Sequence, residues 1–252
     1  MKTSCNAVMR ISARTRVIKV FVFVALIAAV DAHGSLPIVI EYGAGRNKTA
    51  TKLWSDAEEQ LKKGDVPGAR QSVDAALLND PAFWPALYTR AKVFVKQGKP
   101  ALAIQDCNEA LRQYPGFIEA ALLRARINAL LGKYAESLKE IEHVIAIRPR
   151  TFALARALGD RAWLRAVCPD PSFRNGRQAI KDATAACRIM SWNDENMIDT
   201  LAAGYAEAGD FDSAVRFEQQ ALAVKGITAE DSKYIQQHLA LFKQHRPVRL
   251  SP

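Results

Sequence analysis

The 252-residue chain is poor in the residues from which compact reactive sites are built. It has four cysteines and four histidines. No CxxC pair occurs, which excludes a zinc ribbon or a c-type haem attachment, and four cysteines are too few for a disulfide-built scaffold. None of His33, His143, His238 and His245 stands in an HExxH pattern or has a second ligand four residues on, so no metal site is expected. A GxSxG nucleophile turn is absent. Gly43 and Gly45 are separated by one residue where a phosphate-cradling loop needs four, and no βαβ unit follows them. These absences predict a chain that is not an enzyme and carries no cofactor. With 11 Pro and 13 Gly, and with 49% hydrophobic and 24% charged residues, the composition is that of a globular chain with a core.

Long apolar runs are missing too. The longest stretch of interest, residues 20–30, has eleven residues, short of the roughly 20 that span a bilayer. It follows Lys2, Arg10, Arg14, Arg16 and Lys19 and precedes Val30-Asp31-Ala32, the order of parts in a secretory signal. Residues 1–32 are therefore read as a signal peptide cleaved after Ala32, with an uncleaved signal anchor as the alternative. Cys5 lies ahead of the apolar stretch and none follows it, so a lipoprotein anchor is not expected. The mature chain is expected to be secreted or periplasmic, with no membrane span. The signal also holds five of the 35 basic residues and one of the 26 acidic ones, leaving 30 against 25 and reducing the net charge from +9 to +5. A basic balance that first suggests nucleic acid thereby loses half its weight, and no nucleic-acid partner is expected.

What the sequence does contain is a period. Gly64, Gly98 and Gly132 are spaced 34 apart, as are Pro81, Pro115 and Pro149. Ala57, Ala91 and Ala125 keep the same beat, as do Ala69, Ala103 and Ser137, and Ala76, Ala110 and Val144. Within a unit, residues 87–95 show the three-and-four spacing of an amphipathic helix. Gly98 is placed to cap that helix and Pro100 to open the next, which buries Ala103, Cys107 and Ala110 before Pro115 ends it. A further unit is marked by Leu201, Ala202, Tyr205, Gly209, Phe211 and Ala214. Between the regular regions Gly176 stands 44 residues after Gly132, so one unit has absorbed ten extra residues.

A 34-residue period with glycine in mid-repeat and proline near its end resembles the tetratricopeptide repeat. Residues 162–171, with Asp199-Thr200-Leu201, are further similar to uncharacterised bacterial extracytoplasmic tetratricopeptide proteins. The resemblance implies an all-α fold, a right-handed α-solenoid of about five helix pairs with a C-terminal capping helix. The boundaries read as follows: signal 1–32; linker 33–50; array 51–226, with units near 50–83, 84–117, 118–151, 152–194 (degenerate) and 195–226; cap 227–244, needed to cover the last stacking surface; tail 245–252. Asn47-Lys48-Thr49 is a glycosylation pattern that matters only in a eukaryotic source.

Function is expected to follow the resemblance: a scaffold binding a peptide or protein partner in the concave groove. By alignment to the repeat, Trp54, Tyr88, Lys92, Lys96 and Arg126 face that groove. The family's carboxylate clamp uses Lys and Asn where this chain has Trp54 and Glu58, so the clamp is not expected here. The alternative is an accessory protein that binds an anionic envelope component or acidic partner. It rests on residues 148–188, where nine basic residues face three acidic ones; its candidates are Arg156, Arg161, Arg165, Arg174 and Arg177. In an oxidising compartment Cys168 and Cys187 invite a bridge, but ten residues of helix beyond Arg177 put Cys187 about 15 Å away, more than twice the reach of a disulfide. Cys107, Cys168 and Cys187 are expected as buried thiols.

Overall fold

The computed structural model describes residues 47–250. Among them are eleven α-helices and one 3-10 turn, and no strand. They pair as α1 (Lys48–Lys62) with α2 (Val66–Asn79), α3 (Trp84–Lys96) with α4 (Pro100–Gln113), and α5 (Ile118–Leu130) with α6 (Tyr134–Ala146). The fourth pair is α7 (Thr151–Val167) with α8 (Gly176–Ile189), the fifth is α9 (Glu195–Glu207) with α10 (Phe211–Leu222), and α11 (Ala229–Lys243) closes the array. Each helix packs on the next along the chain, and first helices of successive units touch in α1–α3, α5–α7 and α7–α9. The all-α helical-repeat expectation holds.

Local chemistry sets the helix ends. Gly98 has φ +66°, and with it in the left-handed region Lys99 N donates to Phe94 O at 2.9 Å, the six-to-one bond of a helix C-terminal turn. The same bond recurs 34 residues on, where Gly132 has φ +74° and Lys133 N donates to Asn128 O at 2.8 Å. Helix α1 begins earlier than expected. Asn47 caps it by accepting from Thr49 N at 3.0 Å and Ala50 N at 3.4 Å, so the last residues of the segment read as linker are the first turn of the array. The rest of that segment and the signal lie outside the described residues.

The core is built on small residues. Ala57, Ala91 and Ala125, with Ala69, Ala103, Ala76 and Ala110, are all fully buried, which lets helix backbones approach closely. Aromatic side chains fill the space between the first units: Trp84 meets Phe117 edge-on at 4.3 Å, and Trp54 meets Phe83 at 5.5 Å. The degenerate unit takes up its extra residues in two places. Helix α7 has 17 residues where α3 and α5 have 13, and the connection to α8 contains the 3-10 turn Pro171–Phe173. Asn175 N donates to Arg165 O at 2.8 Å and folds that loop back on α7. Cys107, Cys168 and Cys187 are free and buried, and burial pushes the thiols of Cys107 and Cys187 up to about 12.

Residues 245–250 are not a loose tail. Val248 is buried, Leu250 N donates to Val167 O at 3.0 Å, and Arg249 Nη1 donates to Ala166 O at 3.2 Å. The end of the chain thus satisfies two carbonyls left open at the C-terminus of α7, and Arg249 adds an ion pair to Glu207 at 2.5 Å.

Candidate functional site

The residues expected in one groove divide into three settings. Trp54 is only 6% exposed, and its Nε1 donates to Thr89 Oγ1 at 2.9 Å. The Thr89 hydroxyl in turn donates to the Glu58 carboxylate, which accepts from Lys92 Nζ at 2.7 and 2.8 Å. Tyr88 packs edge-on against Phe117 at 5.0 Å, with Lys92 Nζ 5.0 Å from its ring centre, and burial pushes its hydroxyl up to about 12. Trp54, Tyr88 and Lys92 are therefore brought together, but the cavity among them is about 70 Å³, room for roughly two waters. Trp54 corrects the expectation, because its indole is buried against Phe83 and tied to the Thr89 hydroxyl. Lys96 is exposed and lines a depression of about 550 Å³ with Lys62 and Glu59. Arg126 belongs elsewhere: its Nε donates to both Asp160 oxygens at 2.9 Å, bridging α5 to α7. Burial pushes the Asp160 carboxyl above its ordinary value while the Arg126 guanidinium pulls it down.

That pair forms part of a cavity of about 420 Å³ whose lining comes from first helices and the cap: Arg126 on α5, Phe152, Arg156, Asp160 and Trp163 on α7, Met197, Asp199 and Thr200 on α9, and Tyr234 on α11. A volume of this size fits a small ligand or one or two side chains of a peptide. Gly159 helps shape it, since a Cβ there would lie 2.5 Å from Met197 Sδ. Phe152 and Tyr234 are exposed by 50% and 44% at the cavity. Arg156 lies 5.9 Å from the Phe152 ring centre and makes no ion pair among the described residues, so its guanidinium is available to a ligand.

Next to the cavity three further polar groups are buried together: Asp199 on α9, Glu218 on α10 and His238 on α11. His238 Nδ1 lies 2.7 Å from Asp199 Oδ1. Burial and the neighbouring Asp199 carboxyl push Glu218 far above the usual carboxylate range. Neither Asp199 nor Glu218 was expected as a site residue, yet the repeat register marks both. Counting from the small residue that opens the buried stripe of each second helix, Glu218 stands where other units have Val73, Cys107 and Ile141, all buried. Asp199 stands three residues before Ala202, the position of Trp54 before Ala57 and of Leu122 before Ala125. Two acidic residues at apolar register positions are a signal that superposing the repeats exposes.

The basic segment 148–188 is partly neutralised by ion pairs. Arg161 donates through Nε and Nη2 to Asp182 at 2.7 and 2.9 Å. Arg165 reaches Glu142 at 3.6 Å and Phe173 O at 3.1 Å. Arg174 pairs with Glu207 at 3.1 Å and donates to Cys168 O and Pro169 O at 2.9 Å. Arg156 points to the cavity, and Arg177 is exposed at the start of α8. Glu142 and Glu207 lie outside the segment in sequence, so part of the excess counted along the chain is compensated in space, while Arg148, Arg150, Arg177, Lys181 and Arg188 stay exposed. The anion-binding alternative thereby loses three of its five candidate arginines, Arg161, Arg165 and Arg174, to internal pairing.

The family profile described as Tetratricopeptide repeat matches residues 57–117 and 88–150. No curated protein gives a significant match. Among solved structures the chain is similar to the APC/C hetero-tetramer Cut9–Hcn1, with a TM-score of 0.67 and 16% identity over 88% of this chain and 39% of that one. This chain therefore spans well under half the length of that neighbour. PilW, a widely conserved type IV pilus biogenesis factor, aligns with a TM-score of 0.65 and 16% identity over 79% of this chain and 88% of that one. A thermophilic TPR protein of Thermus thermophilus aligns with a TM-score of 0.64 and 16% identity over 77% of this chain and 99% of that one. At such identities the likeness is one of fold. With the profile matched from within α1 to just past α6, and the same pairing carried on through α7 to α10, this chain carries tetratricopeptide repeats over residues 57–150 and continues the same helical-repeat fold beyond them.

Proposed function

We propose that the chain is a non-catalytic interaction scaffold and that the cavity shared by α5, α7, α9 and α11 receives a segment of a protein partner. The observation that supports this reading is the cavity itself, about 420 Å³ in volume and lined by four separate helices. Its chemistry suits an apolar side chain seated between Phe152 and Tyr234, with a neighbouring carboxylate taken by the planar donor fork of Arg156. The Arg126–Asp160 pair, already satisfied internally, holds α5 and α7 in place behind it. A protein partner fits better than a nucleic acid because, of the two arginines that line the cavity, Arg126 is committed to an ion pair and only Arg156 is left for a ligand. The hetero-tetrameric assembly of Cut9 with Hcn1 named for one neighbour agrees with a role in protein assembly.

Selection of random ten-residue peptides on the purified chain tests the site. Selected peptides should share an apolar residue next to Asp or Glu, and a Phe152→Ala, Arg156→Glu double variant should bind them at least about tenfold more weakly, or ~1.4 kcal/mol. Equal binding by the variant, with circular dichroism unchanged, removes the cavity from consideration. We further propose that the chain works outside the cytoplasm, on the strength of the basic, apolar and small-residue order of residues 1–32. Mass spectrometry of the protein from its native host should then give an N-terminus at His33; an N-terminus upstream of residue 20 overturns cleavage.

A further inference from the structure

The cluster of Asp199, Glu218 and His238 lies at the joint between the last helix pair and the cap, with 3%, 0% and 5% exposure. One ligand-capable atom of each lies within 4.8 Å of the other two. His238 Nδ1 is 2.7 Å from Asp199 Oδ1 and 3.8 Å from Glu218 Oε1. Neither Glu218 oxygen has a hydrogen-bond partner among the described residues. Glu218 can bond to the Asp199 carboxyl only while one of the two acids holds a proton, so this fully buried carboxyl, facing an acid and an imidazole, is aimed into a ready-made donor set. The surroundings are aromatic: the rings of Tyr234, Trp163 and Phe242 lie 4.2, 5.8 and 6.3 Å from that of His238.

Charge and ligand type select the occupant. Ionising both acids would put −2 in the interior, which one divalent cation balances; buried charge is otherwise strongly disfavoured. Imidazole nitrogen combined with carboxylate oxygen suits a first-row divalent ion of the zinc type. Zinc holds such ligands at about 2.0–2.2 Å, so ligand atoms of a tetrahedron stand about 3.3 Å apart. The observed 2.7 and 3.8 Å separations bracket that spacing. Asp199 and Tyr234 also line the 420 Å³ cavity, which supplies a way in for the ion and space for a water as fourth ligand. We propose that Asp199, Glu218 and His238 bind one divalent cation of the zinc class, which ties α11 to α9 and α10. A proton shared between Asp199 and Glu218 is the competing way to neutralise the cluster, and the two differ in what they predict.

The test uses the untagged chain, stripped with EDTA and titrated with zinc chloride by equilibrium dialysis. About one zinc ion per chain is expected, together with a rise in the thermal midpoint that EDTA reverses and a visible absorption band when cobalt replaces zinc. Glu218→Gln keeps the shape and the hydrogen-bonding capacity of a protonated acid, yet should weaken zinc at least about 100-fold, as should His238→Gln, since both remove a direct ligand. His143→Gln, on the exposed face of α6, should bind as the unaltered chain does. No stoichiometric uptake of zinc, manganese or cobalt by the unaltered chain overturns the proposal and leaves the shared proton. Undiminished uptake by both Glu218→Gln and His238→Gln overturns it equally, by placing the ion elsewhere.

Discussion

Replacing Trp54 with alanine should lower the unfolding free energy by about 3–5 kcal/mol, the range for deleting a buried aromatic side chain. The indole is 6% exposed and packs edge-on against Phe83 at 5.5 Å. Its Nε1 is also the donor that holds the Thr89 hydroxyl at 2.9 Å, so truncation opens a void and disturbs the Thr89–Glu58–Lys92 chain together. Trp54→Phe separates the two effects: most of the ring stays, and the lost hydrogen bond accounts for about 1 kcal/mol. Urea unfolding followed by circular dichroism measures both. A Trp54→Ala midpoint equal to that of the unaltered chain would show that the ring is not packed as described. Peptide binding at the distant cavity should survive Trp54→Phe, because Trp54 is a core residue and not part of a docking face.

The second large effect is expected at Arg161. Its alanine variant leaves Asp182, 3% exposed, with only the Gln178 amide at 2.9 Å in place of a bidentate guanidinium, and removing one partner of a buried pair costs about 3–5 kcal/mol. Arg177→Ala, at an exposed position sixteen residues on, should stay within about 0.5 kcal/mol of the unaltered chain. Removing both charges in Arg161→Ala, Asp182→Ala should recover part of the loss, since no unpaired ion is then buried. Chemical denaturation of the four proteins gives the answer. Equal small effects of the two arginines would restore the idea of a solvated basic face; the expected contrast makes Arg161 a strut between α7 and α8.

The helix pairs and their ends were legible because they rest on local chemistry: glycine after a helix, proline at the start of the next, small residues on a 34-residue beat. Even in the degenerate unit, where the period is broken, the displaced Gly176 still marks where its second helix starts. Side-chain partnerships were not legible, and the reason is geometric. Lys92 and Glu58 are 34 residues apart, Arg126 and Asp160 are 34, and Arg174 and Glu207 are 33. Partners one whole repeat apart face each other across neighbouring units, yet each reads along its own helix as an ordinary surface charge. Counting charge within residues 148–188 therefore missed that three of its arginines are paired in space. Trp54 failed for a different reason: alignment to the repeat placed it on the groove face, while packing against Phe83 and the bond to Thr89 hold it in the core. Glu218 shows what the period alone conceals, because its beat is regular and only its polarity is out of place.

The docking of residues 248–250 on the end of α7 changes how the array holds together. Units of a repeat protein ordinarily lean only on their neighbours, so an array loosens from its ends, one pair at a time. Here Arg249 reaches back 83 residues to Ala166, and the chain from α7 to Leu250 becomes a closed ring of supports. To free α11 from α10, the clasp on α7 must open as well. The C-terminal half, which carries the cavity and the buried acid–histidine cluster, is thereby tied together beyond nearest neighbours, and Leu250 carries the tie to α6 by packing on the cluster of Leu138, Leu164 and Cys168.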